Sequence, residues 1–231
     1  MGSKMDKEVK LPKASALGRE QNDNLIVAVY GDHGSGKTAW TEEILCKNKQ
    51  RLLIVDTTGH DYGNEDFCKA CHIEYDAVIE NLKDIAEYVS RDKFRIVVRC
   101  PGSEMSVLNV FQHDAEKKSS LVTDCTIVLE EIHRFMDAQN IEPEIANIVT
   151  LGRHSRLNLV GVSQIPRGQT NLLFRSQVDI FISFRQTEQS AIKFFSDFDY
   201  EKAEKLRNLE RGEYELLRGT PEKIMEFINK P

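Results

Sequence analysis

The feature that most restricts how this chain can fold is a glycine-rich turn between an apolar run and a helical pattern. The apolar run is Leu25–Tyr30, helical spacing covers residues 38–46, and the turn reads Gly31-Asp32-His33-Gly34-Ser35-Gly36-Lys37-Thr38. Glycines let backbone N–H groups turn inward around phosphate oxygens, and the new helix directs its positive end at the same anion. The turn therefore predicts a phosphate-binding loop, with His33 filling a variable position. We expect Lys37 to neutralise the β- and γ-phosphates and the Thr38 hydroxyl to bind Mg²⁺.

Short apolar runs recur along the chain and alternate with helical patterns. The further runs are residues 52–55, 94–98, 126–129, 159–162 and 178–184. This alternation predicts an α/β fold with a mainly parallel central sheet flanked by helices. Residues 75–90 and 141–151 are predicted as helices. At the end of the chain we expect a helix over 200–209, a strand over 213–218, and an apolar stretch at 224–228 that closes a C-terminal β-hairpin.

Composition and charge set the broad class. The 231 residues are 40% hydrophobic and 29% charged, which excludes a collagen-like, coiled-coil or disordered chain. Residues 1–23 are basic and lack periodicity, so they predict a flexible N-terminal tail, and residues 24–231 predict a single domain. No apolar run approaches the about 20 residues of a membrane-spanning helix, and no secretory signal is expected. The net charge of −6 differs from the basic balance of proteins that coat nucleic acid, although it leaves room for a local basic surface.

The five cysteines are an odd number, which favours reduced thiols over a disulfide framework. Cys68, Cys71 and His72 match the C-x-x-C-H pattern of haem attachment, and His60 could join them in a zinc site. Haem attachment of this kind belongs to exported proteins, and no second ligand pair follows to complete a zinc site. We therefore interpret these residues as cysteines that lie on a helix by chance.

Two acids follow the predicted strand at residues 126–129. Ligands of open parallel sheets gather at the carboxyl ends of the strands, which is where Glu130 and Glu131 are expected. We predict that Glu130 holds Mg²⁺ and that Glu131 orients and deprotonates the water that attacks the γ-phosphate. The alternative is an exposed helix start, since acids also favour helix N-termini.

The strand at residues 159–162 leads into Gln164, which can sense a γ-phosphate and position the attacking water. Arg153 and Arg156 precede that strand, and Arg185 ends the strand after it. A guanidinium near the γ-phosphate stabilises charge in the transition state, and a neighbouring chain can supply it. Each arginine is also compatible with an ordinary solvated surface position.

Together these motifs resemble the FtsK–HerA superfamily of P-loop ATPases. The matching segments are GDHGSGKT, TIVLEE, GRHSRLNLVGVSQIPRG, SQVDIFISFR and the closing LRNLERGEYELLRGTPEKIMEFI. The resemblance covers residues 24–229 and implies a P-loop NTPase (RecA-like) fold that ends in a proline-led last strand. It also implies ATP and Mg²⁺ as cofactors and a homo-oligomeric, hexameric ring that moves DNA. The compact size looks most like the genome-packaging ATPases of internal-membrane viruses, and it is also similar to zonula-occludens-toxin-like assembly ATPases of filamentous phages.

Carried onto this sequence, the resemblance makes Lys37 and Thr38 ligands of nucleotide and metal, Glu130 and Glu131 the acidic pair, and Gln164 the sensor. Arg185 matches the arginine after the sensor strand, and a trans-acting arginine could be Arg153 or Arg156. The chain departs from the usual pattern in two places. Glu130 stands where Asp is usual, and Ile165 precedes Pro166 where arginine is frequent, with Arg167 after it.

Three other functions compete with a motor. A GTPase would use Asp56–Gly59 as D-x-x-G, but this motif follows the phosphate loop too soon and no guanine-reading N-K-x-D motif is present. A small-molecule kinase would usually carry an arginine-rich lid and would not need the acid pair with a glutamine. An ATP-binding scaffold with weak hydrolysis would follow if Glu130 impaired the metal site.

The resemblance also implies partners and a location. DNA would be bound through its phosphates and without sequence specificity, with Lys117 and Lys118 in the polar stretch 101–121 as candidates. Viral capsid or membrane vertex proteins are further candidate partners. The expected location is the host cytoplasm or the packaging vertex of the virion.

Overall fold

The computed structural model describes residues 24–59, 62–99, 102, 104–109, 113–114, 119–120, 122–164, 166 and 170–230. The strands are β1 Ile26–Tyr30, β2 Arg51–Val55, β3 Ala77–Ile79, β4 Phe94–Val98, β5 His113–Asp114, β6 Ser119–Ser120, β7 Thr126–Leu129, β8 Asn158–Ser163, β9 Ile180–Phe184 and β10 Tyr214–Arg218. The α-helices are α1 Lys37–Trp40, α2 Glu65–Cys71, α3 Leu82–Val89, α4 Glu104–Leu108, α5 Pro143–Leu151, α6 Leu172–Gln177, α7 Gln189–Ser196, α8 Tyr200–Lys205 and α9 Pro221–Asn229.

Shorter helical turns extend several of these elements. A π-helical turn, Thr41–Leu45, continues α1, so the predicted helix at 38–46 is confirmed. Turns of 3₁₀ helix cover Ile132–Arg134, Gly152–Ser155 and Leu206–Asn208. The predicted tail at 1–23 lies outside the described residues, as do Lys117 and Lys118. Within the described ranges, no helix combines the length and apolar character needed to cross a membrane.

Eight strands form one sheet in the order β10-β9-β1-β8-β7-β2-β4-β3. All neighbouring strands are parallel except β10, which runs antiparallel to β9. The predicted α/β class and mainly parallel sheet are confirmed. The short strands β5 and β6 pair separately, antiparallel to each other. Strand β8 lies between β1 and β7. Strand β1, which precedes the phosphate loop, is therefore not paired with β7, which precedes the acid pair.

Strand pleating divides the core into two halves. Successive side chains of a strand point to opposite faces, so Ile26, Ala28 and Tyr30 of β1 join one buried cluster while Val27 and Val29 join the other. Helices α3 to α8 supply the first half, and the π-helical turn and α9 supply the second. Because both faces are covered, the central strands carry nearly continuous apolar runs, as in Ile26–Tyr30, which is the pattern that the sequence displays.

Residues 75–90 do not form the single helix predicted for them. They fold as strand β3 followed by α3, whose N-terminus is capped where the side chain of Asn81 accepts a hydrogen bond from Lys83 N. The apolar residues of α3 do have helical spacing, but Val78 and Ile79 pair with β4 as an edge strand. The β-branched residues satisfy their backbone groups against β4, and the helix begins only after its asparagine cap.

The last segment also differs from the expectation. Residues 221–229 form helix α9 and not a proline-led strand, because Pro221 occupies the first helical turn and Thr220 accepts a hydrogen bond from Lys223 N. Ile224 and Phe227 are buried against the sheet. The antiparallel terminal pair is confirmed, but it joins β10 to β9.

Replacing Phe181 by Ala should remove one of the main anchors of the first core half. Its ring is fully buried and lies 5.5 Å from the Tyr30 ring and 4.9 Å from the Phe198 ring. A cavity of this size should lower the free energy of unfolding by about 3–5 kcal/mol in urea denaturation. Leu172→Ala is the control, since Leu172 is 70% exposed and should change stability by no more than about 0.5 kcal/mol. Equal effects of the two substitutions would contradict the described packing.

Candidate active site

A cleft of about 630 Å³ opens at the carboxyl ends of β1, β8 and β7. The phosphate loop lines it with His33, Gly34, Gly36, Lys37 and Thr38, and the acid pair and Gln164 complete the opposite wall. The strand order explains this meeting, because β8 places Gln164 between the loop after β1 and the acids after β7. The structure therefore brings the three predicted parts of the site together in one chain.

The phosphate loop is held by the segment that follows β9. Asp32 N donates to Arg185 O at 2.9 Å, and the Asp32 carboxylate accepts hydrogen bonds from the backbone N and the hydroxyl of Thr187. Gly34 and Gly36 adopt positive φ angles of 72° and 98°, which side chains of L residues rarely tolerate. The variable position at Asp32 thus carries a structural role that the motif alone does not reveal.

Glu131 and Gln164 form a direct hydrogen bond inside the cleft. Gln164 Nε2 donates to Glu131 Oε1 at 2.7 Å, while His133 Nδ1 lies 3.1 Å from Glu131 Oε2 and 3.1 Å from Ser163 Oγ. Burial by itself would raise the pKa of Glu131. The interactions with His133 and Gln164, together with the positive charge of Lys37, outweigh burial and lower this pKa. Glu131 is therefore held as a carboxylate.

The backbone of Glu131 adopts a left-handed conformation, with φ 50° and ψ 56°. Such a conformation is unfavourable for a residue other than glycine and persists only where the surroundings impose it. Here Glu131 connects the end of β7 to the 3₁₀ turn Ile132–Arg134, and its side chain is anchored to Gln164. The strain is thus located at the residue predicted to activate water.

Glu130 is almost fully buried beside Glu131. Its Oε2 accepts a hydrogen bond of 2.8 Å from the hydroxyl of Tyr62. Burial and the charge of Glu130 raise the pKa of Tyr62 well above its ordinary value, so Tyr62 remains a donor. Glu130 and Thr38 line the same cleft with oxygen ligands, the type that Mg²⁺ prefers. The described residues contain no group of three or more His, Cys, Asp or Glu side chains that could hold a metal ion.

A third carboxylate, which the sequence did not single out, belongs to Glu42. It is 1% exposed, lines the cleft, and accepts hydrogen bonds at Oε1 from Gly63 N at 3.0 Å and from the Tyr75 hydroxyl at 2.8 Å. Burial raises the pKa of Glu42, and these hydrogen bonds only partly offset the effect. The sequence signal was weak, being a single acid one turn beyond Thr38.

The predicted arginines lie at opposite ends of the parallel strands. Arg185 is at the carboxyl ends, and Arg153 and Arg156 are at the amino ends. Arg185 adjoins the phosphate loop through its backbone, and its buried Nε has no hydrogen-bond partner among the described residues. Arg153 lines a groove with Asn24 and Ile26, at the amino end of β1, so it lies away from the cleft of its own chain. Arg156 also precedes β8 and forms a two-pronged ion pair with Asp124.

The remaining motifs have structural settings. The carboxylate of Asp56 accepts hydrogen bonds from the Thr58 hydroxyl and Gly59 N within its own turn, and β2 is separated from β1 by two strands. Cys68 and Cys71 lie on α2, as predicted, and the Cys68 thiol donates to Glu42 Oε1. Burial raises the pKa of Cys68 to about 12. His60, Ile165 and Arg167 lie outside the described residues.

The fold is that of P-loop NTPases. Comparison with solved structures finds the genome packaging NTPase B204 from Sulfolobus turreted icosahedral virus 2 in complex with ATP-gammaS, at 20% identity and a TM-score of 0.61, over 83% of this chain and 90% of that chain. B204 from Sulfolobus turreted icosahedral virus, a DNA-packaging ATPase, matches at 21% identity and a TM-score of 0.61, over 84% and 91% of the two chains. At the level of the fold, these similarities confirm the resemblance inferred from the motifs.

Other comparisons add less. The N-terminal domain of zonular occludens toxin from Neisseria meningitidis matches at 13% identity and a TM-score of 0.41, over 72% of this chain and 79% of that chain, and no conclusion rests on it. No protein-family model matches the chain. No curated protein matches it either.

Replacing Glu42 by Gln should change how stability depends on pH. Because the pKa of Glu42 is raised by folding, the folded state binds the extra proton between the unfolded and folded pKa values. The free energy of unfolding of the wild type therefore falls as the pH rises through that window. Urea denaturation at about pH 5 and about pH 8 should show a smaller loss for Glu42→Gln than for the wild type. The neighbouring exposed Glu43 supplies the control, since Glu43→Gln should follow the wild-type trend, and a matching trend for Glu42→Gln would contradict the buried setting.

Proposed function

We propose that this protein is an ATP-hydrolysing motor that translocates DNA as a hexameric ring during viral genome packaging. The observation that carries the proposal is the hydrogen bond between Glu131 and Gln164, which faces the phosphate loop across one cleft. A carboxylate held ionised and joined to an amide is suited to orient a water against a γ-phosphate and to take its proton. The likeness of the fold to the packaging NTPase B204, which has been solved with ATP-gammaS, supports the same direction.

Each part of the cleft has a task in this scheme. Lys37 and the backbone N–H groups of the loop bind the phosphates, and Thr38 and Glu130 would hold Mg²⁺. The ion would neutralise charge on the transferred phosphoryl group. Glu131 accepts the proton of the attacking water. Gln164 fixes the positions of the Glu131 carboxylate and of that water. Arg185 follows β9 and adjoins the phosphate loop through its backbone carbonyl, so we assign Arg185 a role in its own chain.

A neighbouring subunit would supply the second arginine. Arg153 and Arg156 precede β8, at the sheet edge opposite the cleft, so neither can serve the site of its own chain. Arg156 is already paired with the carboxylate of Asp124, and both residues adopt left-handed conformations that fix this pair. Arg153 is exposed and carries no such ion pair within the described part of the chain, which favours it as the trans-acting arginine.

The cargo and setting follow from the same proposal. DNA would be held through its phosphates, which matches a protein in which no base-reading motif is evident. The ring would work in the host cytoplasm or at the packaging vertex, against viral capsid or membrane vertex proteins. A filamentous-phage-type assembly ATPase would use the same site for a different cargo, and the kinase, GTPase and scaffold alternatives would not respond to DNA.

Glu131→Gln should separate nucleotide binding from hydrolysis. The amide keeps the size of the side chain but cannot take the proton of water, so turnover should fall by about 10²–10⁴-fold while ATP remains bound. Phosphate release and equilibrium binding of a fluorescent ATP analogue measure the two properties. Lys37→Ala is the matched comparison, since it should lose binding as well. Unchanged turnover in Glu131→Gln would assign the proton acceptor elsewhere.

ATP hydrolysis by the wild type should increase when DNA is added. The assay compares double-stranded DNA, single-stranded DNA and no DNA over a series of salt concentrations. Since phosphate contacts release counterions, stimulation should weaken steeply as salt rises and should not depend on base sequence. Absence of stimulation by either form of DNA would contradict the translocase. Stoichiometric consumption of ATP with a small-molecule acceptor would instead identify a kinase.

A further inference from the structure

The turn that precedes β10 is attached directly to the phosphate loop. Gly212 N donates to Ser35 O at 2.9 Å, and Gly212 itself has a positive φ of 90°. The turn is closed on itself, because Glu213 N donates to Glu210 O and Glu210 N donates to the Glu213 carboxylate. This backbone hydrogen bond fixes the position of the turn relative to the phosphate loop, and therefore relative to any anion that the loop binds.

The two segments approach each other closely at Gly36. A Cβ built at Gly36 would lie 3.2 Å from Gly212 N and 3.8 Å from Cγ of Arg211. The side chain of Arg211 therefore starts beside Gly36, the residue that precedes Lys37, and it lines the same cleft as Lys37 and Thr38. Arg211 is thus a second cation at the phosphate loop, contributed by a segment far along the chain.

The arginines around this turn are engaged elsewhere, but Arg211 is not. Arg207 binds the Gln189 side chain and Thr187 O, and Arg218 donates to the carbonyls of Arg175 and Val178. Arg211 forms neither a hydrogen bond nor an ion pair with any residue that the structure describes, although Glu210 and Glu213 flank it in sequence. An arginine placed next to acids yet directed into a cleft is available for an anion.

Cations and acids line the same cleft. Lys37 and Arg211 occur there together with the carboxylates of Glu130, Glu131 and Glu42. An isolated Lys37 would have to balance several phosphate charges alone. A guanidinium fork next to it adds donors whose geometry matches phosphate oxygens.

We propose that Arg211 is a nucleotide-binding residue that contacts the polyphosphate of the bound nucleoside triphosphate from the same chain. The inference rests on the proposed function, because it requires that the phosphate loop binds a nucleotide. The turn at residues 210–213 positions this arginine. The hydrogen bond from Gly212 N to Ser35 O fixes the turn relative to the phosphate loop.

The test measures equilibrium binding by competition against a fluorescent ATP analogue, with ATP and inorganic tripolyphosphate as the two competitors. Arg211→Ala should weaken both competitors by a similar factor of about tenfold or more, as expected for loss of charged hydrogen bonds. Arg211→Lys keeps the charge without the fork and should fall between Arg211→Ala and the wild type. Arg91→Ala is the matched control, since Arg91 is an exposed arginine paired with Glu87 away from the cleft, and it should bind like the wild type. Equal melting temperatures without nucleotide establish that the variants are folded.

The remaining outcomes would overturn the inference in distinguishable ways. If Arg211→Ala weakened ATP but not tripolyphosphate, the arginine would contact the base or ribose and not the polyphosphate. If both competitors bound Arg211→Ala as they bind the wild type, Arg211 would have no binding role while the proposed function would stand. If the wild type bound no ATP and resembled Lys37→Ala, the proposed function and this inference would fall together.

Discussion

The hydrogen bond between Gln164 and Glu131 depends on the insertion of β8 between β1 and β7. This strand order places the amide next to the carboxylate and points both toward the phosphate loop. Close packing under the acid pair completes the arrangement, because a Cβ at Gly161 would lie 2.4 Å from Cδ1 of Ile132. Glycine in the middle of β8 lets the turn that follows Glu131 rest directly on the strand that carries Gln164. The separation of the two side chains is therefore set by the backbone of the sheet.

Around this pair, the cleft is built from buried acids that each have a different electrostatic environment. Glu131 is kept ionised by His133, Gln164 and Lys37, Glu130 accepts from Tyr62, and Glu42 is pushed toward protonation by its burial. Three carboxylates can therefore line one cleft without three full charges opposing each other. Lys37 and Arg211 line the same cleft, so a triphosphate and its metal would meet both cationic and acidic groups there.

Much of this arrangement could be predicted from the sequence, because its signals are local. The apolar runs gave the strands, and the positions of Lys37, Glu131 and Gln164 relative to those runs placed them at one edge of a parallel sheet. The edge strand β3 was missed because three β-branched and small residues before an asparagine cap have no pattern of their own. Tyr62 lies 68 residues from Glu130 in sequence, so its hydrogen bond depends on the folded topology. The same reason hid His133 and Arg211, whose roles arise from neighbours that only the folded sheet provides.

The two outer strands of the sheet limit how copies of this chain can meet. Strand β3 is three residues long and is bounded by Asp76 and Glu80. Strand β10 shifts register between Leu216 and Arg218, its last residue. Short, charged or irregular margins are poor templates for the addition of another strand. Crowding many copies at one place therefore does not favour continuous cross-molecule sheets or the aggregates that grow from them. In the proposed ring, contacts between subunits would therefore be made by side chains of helices and loops, which can rearrange as a nucleotide is bound and released.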